Sequence, residues 1–367
     1  MSEQVPIAIG VDVGGSGIKG AAVDLVSGRL ASNRHRILTP QPATPQACLE
    51  VIARIVKAVC RELPAAATAP VGVGVPSVVI GGATKTAANI DAGWVGFDAQ
   101  GGLQRLLRRP VHMVNDADAA GLAEMRFGAG VDKDGTVIVL TLGTGVGSGF
   151  FVDGRLVPNT ELGHMEIRGR DAERRSAAAA RTRRGLSWKA WAEDLDEHLN
   201  AIHRLFWPSL LILGGGVSKN ADKFIPRLTV PTTVVPATLR NEAGIVGAAL
   251  FAAEVAREMS QPIPIAAPEA GSEAAEDEAK PPAEAAAPTA SDEEPTASDE
   301  EAAGGTVGAA GGTEAAAGGT EPIEARDPLE PDTEVVAEQA AVDAVRDGSD
   351  WAPAPVEPAG EAGRDGG

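Results

Sequence analysis

The chain has 367 residues, 44% of them hydrophobic, and a formal net charge of −19 that belongs almost wholly to one end. From residue 259 on, 26 Asp and Glu face Lys280, Arg326, Arg346 and Arg364, a net −22, which leaves residues 1–258 with 25 acids, 28 bases and a net +3. The acidity therefore says nothing about a ligand of the N-terminal part, which is long enough for one large domain or two lobes with cores of their own.

The opening MSEQVPIAIGVDVGG lacks the basic, apolar and small-residue order of a signal peptide, and no run of 18 apolar residues occurs. Secretion and a membrane partner are not expected; a cytoplasmic protein is. Cys48 and Cys60 fall on one predicted helix, about 18 Å apart along its axis, too far for a disulfide. They read as small buried hydrophobes in a reducing compartment.

In chain order, Val5, Ile7, Ile9 and Val11 alternate and run into a glycine turn at 13–17, and 18–25 returns as a second strand before a turn at Ser27 and Gly28. After the Pro-rich TPQPATPQ, the spacing predicts a helix from Pro45 to Glu62 with Leu49, Ile52, Val56 and Val59 on one face. VGVGV at 71–75 and PVHMVN at 110–115 read as buried strands, the second leading into a helix at 117–127. Further strands are predicted at 136–142, 150–152 and 210–213, and helices at 187–205 and 242–257. Strands alternating with helices define the α/β class.

Two segments echo each other. IGVDVGGSGIKGAAVD at 9–24 and VLTLGTGVGSGFFVDG at 139–154 share an apolar strand, a turn of Gly with Ser or Thr, and an apolar strand. Ordinary hairpins also use glycine turns, but hydroxyl residues inside both turns predict a duplication. The expectation is two lobes, 1–114 and 115–257, each presenting a phosphate loop, with the last helix packing back on the first lobe. From residue 258 the chain is Ala, Glu, Pro, Gly, Thr and Asp, with a tandem heptad PTASDEE at 288–294 and 295–301. Such a composition cannot bury enough surface to offset chain entropy, so a disordered tail is expected.

Glycines let backbone N–H groups crowd a phosphate oxygen, and three glycine turns stand at predicted strand ends. The first runs from Asp12 to Lys19 and offers Gly14, Gly15, Ser16 and Gly17, with Asp12 placed to hold Mg2+ through water. The second offers Thr141, Gly143, Thr144 and Gly145; the third, Gly214, Gly215 and Gly216, ends a strand and opens a helix. None has the dinucleotide or Walker spacing. Asn115 and Asp116 end a strand, where α/β sheets meet their ligands. Asp116 reads as a general base for a hydroxyl, and the pair reads equally as a helix cap. Glu161 and His164 suit vicinal sugar hydroxyls or a plain surface pair. With five histidines and no zinc-type spacing, a metal cluster is not expected.

The segments DVGGSGIK, AANIDAGWVGFDA, VNDADAA, TLGTGVGSG, ELGHMEI and LILGGG, in this order, resemble the ROK family (repressors, open reading frames and kinases) over about residues 5–255. Within it they are similar to the branch that takes polyphosphate as well as ATP. The resemblance implies two actin-like ATPase (ribonuclease H-like) lobes around a cleft and glucose phosphorylated at its 6-hydroxyl. Asp116 would be the catalytic base, Asn89, Asn115, Glu161 and His164 would join it on the sugar, and the glycine loops would hold the donor. Mg2+ is the expected cofactor and a homodimer the expected assembly. No Cys follows Cys60, so the family's structural zinc is not expected, and the further sugar-binding Glu of that motif falls to Glu173. Val75-Pro-Ser77 stands where the family has Pro-Gly.

Residues 168–189 hold Arg168, Arg170, Arg174, Arg175, Arg181, Arg183, Arg184 and Lys189 against only Asp171 and Glu173. Guanidinium groups grip phosphate bidentately, so Arg174, Arg175, Arg183 and Arg184 are expected to contact polyphosphate; a solvated face has the same composition. Nucleic acid is not expected, since aromatic platforms and a recognition fold are missing. A sugar-responsive repressor would need a winged helix ahead of Asp12. The alternatives to a glucokinase using either donor are an ATP-only hexose kinase and an inactive sugar-binding protein.

Overall fold

The computed structural model describes residues 6–87 and 90–260. The expected sugar residue Asn89 and, beyond residue 260, the tail expected to be disordered lie outside the described residues. The first part of the chain forms β1 (Ile7–Val13), β2 (Ile18–Asp24), β3 (His35–Ile37), α1 (Pro45–Glu62), β4 (Val71–Val75), β5 (Val79–Ile80), β6 (Ala83–Thr84), α2 (Ala99–Leu107) and β7 (Val111–Asn115). Then come α3 (Asp116–Phe127), β8 (Thr136–Leu142), β9 (Val146–Val152), β10 (Arg155–Val157), β11 (Glu166–Ile167), β12 (Arg170–Asp171), α4 (Glu173–Ser176) and α5 (Ala178–Arg183). The described part closes with α6 (Trp188–Phe206), β13 (Leu210–Gly214), α7 (Ala221–Phe224), β14 (Thr233–Pro236) and α8 (Ala243–Ser260).

Two five-stranded sheets share one plan, β3-β2-β1-β4-β7 and β10-β9-β8-β13-β14. In each, the first three strands pair antiparallel and the last three parallel. The echoing segments 9–24 and 139–154 are the hairpins β1-β2 and β8-β9, at corresponding places in the two sheets. Parallel pairs need crossovers, which is why helices fall between β3 and β4, β4 and β7, and β10 and β13.

Helix α1 matches its predicted span. Thr44 caps it, its Oγ1 accepting from Ala47 N at 3.4 Å, with Pro45 in the first turn. Cys48, Leu49, Ile52, Ile55, Val56 and Val59 are buried in one cluster with Ile9, Val11, Val71 and Val73 of β1 and β4. Each such large side chain contributes roughly 1.5–3 kcal/mol. Cys60 is half-buried rather than buried, and both thiols are free.

Helix α8 covers the other face of the first sheet. Its first eleven residues, AGIVGAALFAA, are apolar all round because they are enclosed by β1, β4 and α3. Gly10 and Gly72 make this possible: a Cβ at either would lie 1.8 Å from a carbonyl oxygen of α8, at Ile245 and Ala248. The helix runs three residues past its expected end.

Several elements carry little sequence signal. β3, β5, β6, β10, β11, β12, α4 and α5 are short, α2 includes two glycines and buries only Ala99 and Leu103, and β14 is a half-exposed edge. Strand β9 begins at Val146, not at Phe150, because the glycine-rich stretch pairs with β8 through to Leu142.

Candidate active site

Strand β1 ends at the first glycine turn, with Asp12 opposite Lys19 across the β1–β2 register. Burial pushes the Asp12 carboxyl up, and the Lys19 ammonium pulls it back down. The turn closes through Gly14 N to Gly17 O at 3.2 Å, and Thr39 Oγ1 donates to Gly14 O at 2.5 Å. Gly15 and Ser16 are exposed at its tip. The guanidinium of Arg36 packs over Gly17, where a Cβ would meet its Nε at 2.7 Å. Arg36 is a cation at the first glycine turn that sequence reasoning missed, because β3 itself was not predicted.

Strand β7 delivers Asn115, and Asp116 opens α3. Asn115 Oδ1 accepts from Ala117 N at 2.8 Å and Asp118 N at 3.1 Å, while its Nδ2 donates to Ser77 O at 3.2 Å. Asn115 therefore caps α3 and ties it to the Val75–Ser77 turn, where Ser77 Oγ donates to Thr86 O at 2.8 Å. The cap reading of Asn115 is the one its contacts display.

In the second sheet, β8 ends at Thr141 and Leu142. The hairpin closes through Gly143 N to Gly145 O at 3.0 Å, and Gly143 O accepts from Ala179 N of α5 at 3.0 Å. Gly143 and Thr144 are exposed at the tip. Glu173 Oε2 accepts from Val146 N at 2.9 Å, so this carboxylate sits against the hairpin. The third turn abuts the second: Gly215 has φ +85°, and a Cβ there would lie 2.3 Å from Leu142 O. Gly214 is buried at the end of β13, and Gly216 is exposed beside Gly215.

The turn from Asn159 to His164 is pinned from several sides. Ser148 Oγ donates to Thr160 O at 2.6 Å and accepts from Leu162 N at 3.0 Å. His198, buried in α6, bonds Leu162 O through Nε2 at 3.0 Å and Ser176 Oγ through Nδ1 at 2.9 Å. Asn159 adopts φ +61°, which Asn tolerates. Its N donates to Asp118 Oδ2 at 2.8 Å, its Oδ1 accepts from Val79 N at 2.8 Å, and its Nδ2 donates to Val79 O at 2.9 Å. One residue thus joins β5, beside the first sheet, through its side chain and α3 through its backbone N, at the start of the Glu161 turn.

Carboxyls converge here, Asp118 buried and Asp12, Asp116 and Glu161 half-buried. Burial raises Asp116 to about 7, and the carboxylates of Asp12, Glu161 and Asp118 push the same way against one backbone bond from Ala117 N. Burial also raises Asp118 to about 7, and raises Glu161, where the His164 imidazole acts downward and Glu173 upward. His164 Nδ1 lies 3.4 Å from Asp171 Oδ2, and ligand atoms of His164, Asp171 and Glu173 lie within 4.8 Å of one another. Asp12, Asp116, Glu161, His164 and Glu173 therefore belong to one polar cluster. Asp118, Asn159 and Asp171 join it without having been singled out in the sequence. The D-x-D at 116–118 was the one available signal.

A cavity of about 780 Å³ opens beside this cluster, lined by Thr144, Glu173, Arg170, Arg174 and Arg183 among others. All four arginines expected to serve one ligand, Arg174, Arg175, Arg183 and Arg184, line this cavity, and two of them also hold a buried carboxylate. Asp194, 7% exposed on α6, accepts from Arg175 Nε at 2.9 Å and from Arg184 Nη1 at 2.5 Å. Arg175 and Arg184 neutralise this buried carboxylate and so hold the arginine segment on α6. Arg174 and Arg183 are exposed, and Arg183 Nη2 donates to Arg174 O at 3.2 Å. Among the described residues neither forms an ion pair.

A strand order repeated in two sheets, with glycine hairpins and carboxyls at their ends, defines a sugar kinase of the two-lobed actin-like type. The chain belongs to the ROK family, whose model matches residues 8–184. The polyphosphate glucokinase of Mycobacterium tuberculosis is 47% identical over 242 residues, 66% of this chain and 89% of that protein. That of Mycobacterium leprae is 46% identical over 242 residues, 66% and 73% of the two chains. The crystal structure of inorganic polyphosphate/ATP-glucomannokinase from Arthrobacter sp. strain KM matches with a TM-score of 0.65 and 50% identity, covering 68% of this chain and 99% of that one. The ROK family glucokinase from Streptomyces griseus, in complex with glucose and AMPPNP, matches with a TM-score of 0.58 and 25% identity over 68% and 99%. Among the described residues no helix is long and apolar enough to cross a membrane.

Proposed function

We propose that the chain is a glucokinase that transfers a phosphoryl group from inorganic polyphosphate or ATP to the 6-hydroxyl of glucose. The observation that carries this reading is the place of Asp116, half-buried at the start of α3 and close enough to the Asp12 and Glu161 carboxylates for them, with burial, to push its carboxyl up. Ionised, it accepts the hydroxyl proton as the sugar oxygen attacks the terminal phosphorus. The bond from that phosphorus to the donor's bridging oxygen breaks, and the donor leaves one phosphate shorter. Glu161, His164 and Glu173, with Asp171 beside them, bind the sugar hydroxyls. Asn115 keeps the base in place as the helix cap, and Asn89 is proposed as a further sugar contact on the family likeness alone.

The glycine turns at 14–17, 143–145 and 214–216 hold the donor phosphates, with Lys19, Ser16, Thr141, Thr144 and Arg36 as their polar companions. Asp12 and Asp116 fit a divalent cation, because Asp12 raises Asp116 and, among the described residues, neither carboxyl forms an ion pair. Mg2+ held there by Asp12 would neutralise charge on the transferred group. No structural zinc is proposed, since Asn159, Ser148 and His198 already fix the turn that a zinc motif would follow.

For the donor, the likeness to polyphosphate-using relatives is joined by Arg170, Arg174 and Arg183 in one cavity with Thr144. The lobes are proposed to divide near residue 115, where β7 of the first sheet passes into α3. Free thiols at Cys48 and Cys60 suit the cytoplasm, the compartment we propose. A homodimer is proposed on the apolar surface of Leu205 and Trp207, 65% and 74% exposed, which flank Phe206 where it packs on Phe150 of β9. Trp207→Glu would then shift sedimentation to the monomer. A coupled assay for glucose 6-phosphate, with ATP and polyphosphate each as sole donor, tests the function. Turnover with neither donor would refute it.

A further inference from the structure

On the first lobe, away from the carboxyl cluster, a second cavity of about 720 Å³ is lined by Arg54, Lys57, Arg61, Arg108 and Arg109 and by no carboxylate. Arg54, Lys57 and Arg61 are exposed and stand at i, i+3 and i+7 of α1, a ridge of cations about 10 Å long. Arg109 is held by neutral acceptors only: Nη1 donates to Cys60 Sγ at 3.5 Å, and Nη2 donates to Ala66 O at 3.2 Å and to Ala69 O. Arg108 closes α2 in the left-handed conformation, φ 53°, its N donating to Gln104 O at 2.8 Å.

Among the described residues none of these five forms an ion pair, whereas Arg105, Arg168, Arg175 and Arg184 all do. Glu62, next to Arg61, is turned away, accepting from Asn33 N at 2.7 Å and bonding His35 Nε2 at 2.9 Å. Five uncompensated cations on one concave face repel one another, and such a face concentrates anions. Residues 1–258 carry a net charge of only +3, so this is local clustering and not a basic protein at large.

Position excludes a role in the transfer itself. Arg108 and Arg109 precede the first residues of β7, and Asp116 follows its last. A five-residue strand puts them about 16 Å apart along it. We propose that the cavity between α1 and the entry to β7 is a second, non-catalytic site that holds inorganic polyphosphate by several phosphates at once. The inference rests on the polyphosphate reading of the function. Guanidinium groups suit phosphate oxygens, and a ridge of spaced cations suits a linear polyanion better than a single ion.

The test is equilibrium binding of long-chain inorganic polyphosphate to the full chain at three salt concentrations. The variants are Arg54→Glu/Lys57→Glu/Arg61→Glu and, separately, Arg108→Glu. The triple variant is expected to raise Kd about ten-fold or more and to flatten the slope of log Kd against log salt by about 2 to 3, by analogy with phosphate-backbone binding. Its ATP-driven glucose turnover should stay within about two-fold of the parent, which also reports folding. Should the triple variant lose that turnover, Arg108→Glu decides, with a Kd about three-fold higher expected. Unchanged Kd and slope overturn the site, as does equal binding of poly-L-glutamate by the parent. A parent that binds polyphosphate at this face yet uses only ATP refutes the donor reading and leaves the site standing. Polyphosphate-driven turnover with unaltered binding in both variants does the reverse.

Discussion

Replacing Asp116 by Asn separates the two things a half-buried carboxyl does. In the folded chain burial and the neighbouring carboxylates raise Asp116 from 3.8 to about 7, while the unfolded chain keeps the ordinary value. Below pH 3.8 both states are protonated and the group costs nothing. Between pH 3.8 and 7 the unfolded state releases the proton and the folded state keeps it, so stability falls as pH rises, by about 1.4 kcal/mol per unit. The full cost, about 4 kcal/mol, is present above pH 7. Asn carries no charge, so the variant should melt near the parent at pH 4 and above it at pH 8. For a domain of this size that is an offset of about 5–10 °C. Turnover should meanwhile fall on the order of 10²–10⁴. Calorimetry at both pH values, with the coupled glucose assay, checks both outcomes. Near-normal turnover, or an offset that does not change with pH, would refute the assignment.

Glu161→Gln and His164→Ala should raise KM for glucose at least ten-fold and leave KM for the donor within about two-fold, because breaking a polar clamp strands buried groups on the sugar side. Steady-state kinetics varying each substrate in turn will show it. Arg174→Glu/Arg183→Glu should weaken polyphosphate use several-fold with ATP use little changed, whereas Arg175→Glu should lower stability by about 1–3 kcal/mol with either donor, since it leaves Asp194 buried against a like charge. Denaturant midpoints and two-donor kinetics separate these cases. Asn159→Ala removes both bonds to Val79 and should lower kcat and raise KM for glucose together; an effect on melting temperature alone would make the residue merely structural.

What was legible in the sequence is what is local. The two hairpins were visible because strand, glycine turn and strand lie within sixteen residues, and α1 because Thr44, Pro45 and one apolar face all signal it. The first two glycine turns and the pair Asn115 and Asp116 follow from the same local grammar. What escaped is tertiary. Asn159 matters through Val79, eighty residues earlier, and Arg36 through Gly17 across an edge strand of three residues. Asp171 enters the polar cluster through a two-stranded turn with almost no apolar content. Arg175 and Arg184 line the same cavity as Arg174 and Arg183, and their bonds to Asp194 were not legible because that carboxylate lies on another helix. Composition alone cannot tell a cation awaiting an anion from one already neutralised.

Phosphorus NMR of a nucleotide-free mixture of the chain, Mg2+, glucose and inorganic polyphosphate follows the proposed transfer of phosphate from a polyphosphate chain to glucose through Asp116. A glucose 6-phosphate resonance should grow as polyphosphate is consumed, in the parent and not in Asp116→Asn. Consumption of polyphosphate to orthophosphate without a sugar ester, or equal ester formation by the variant, would contradict the account.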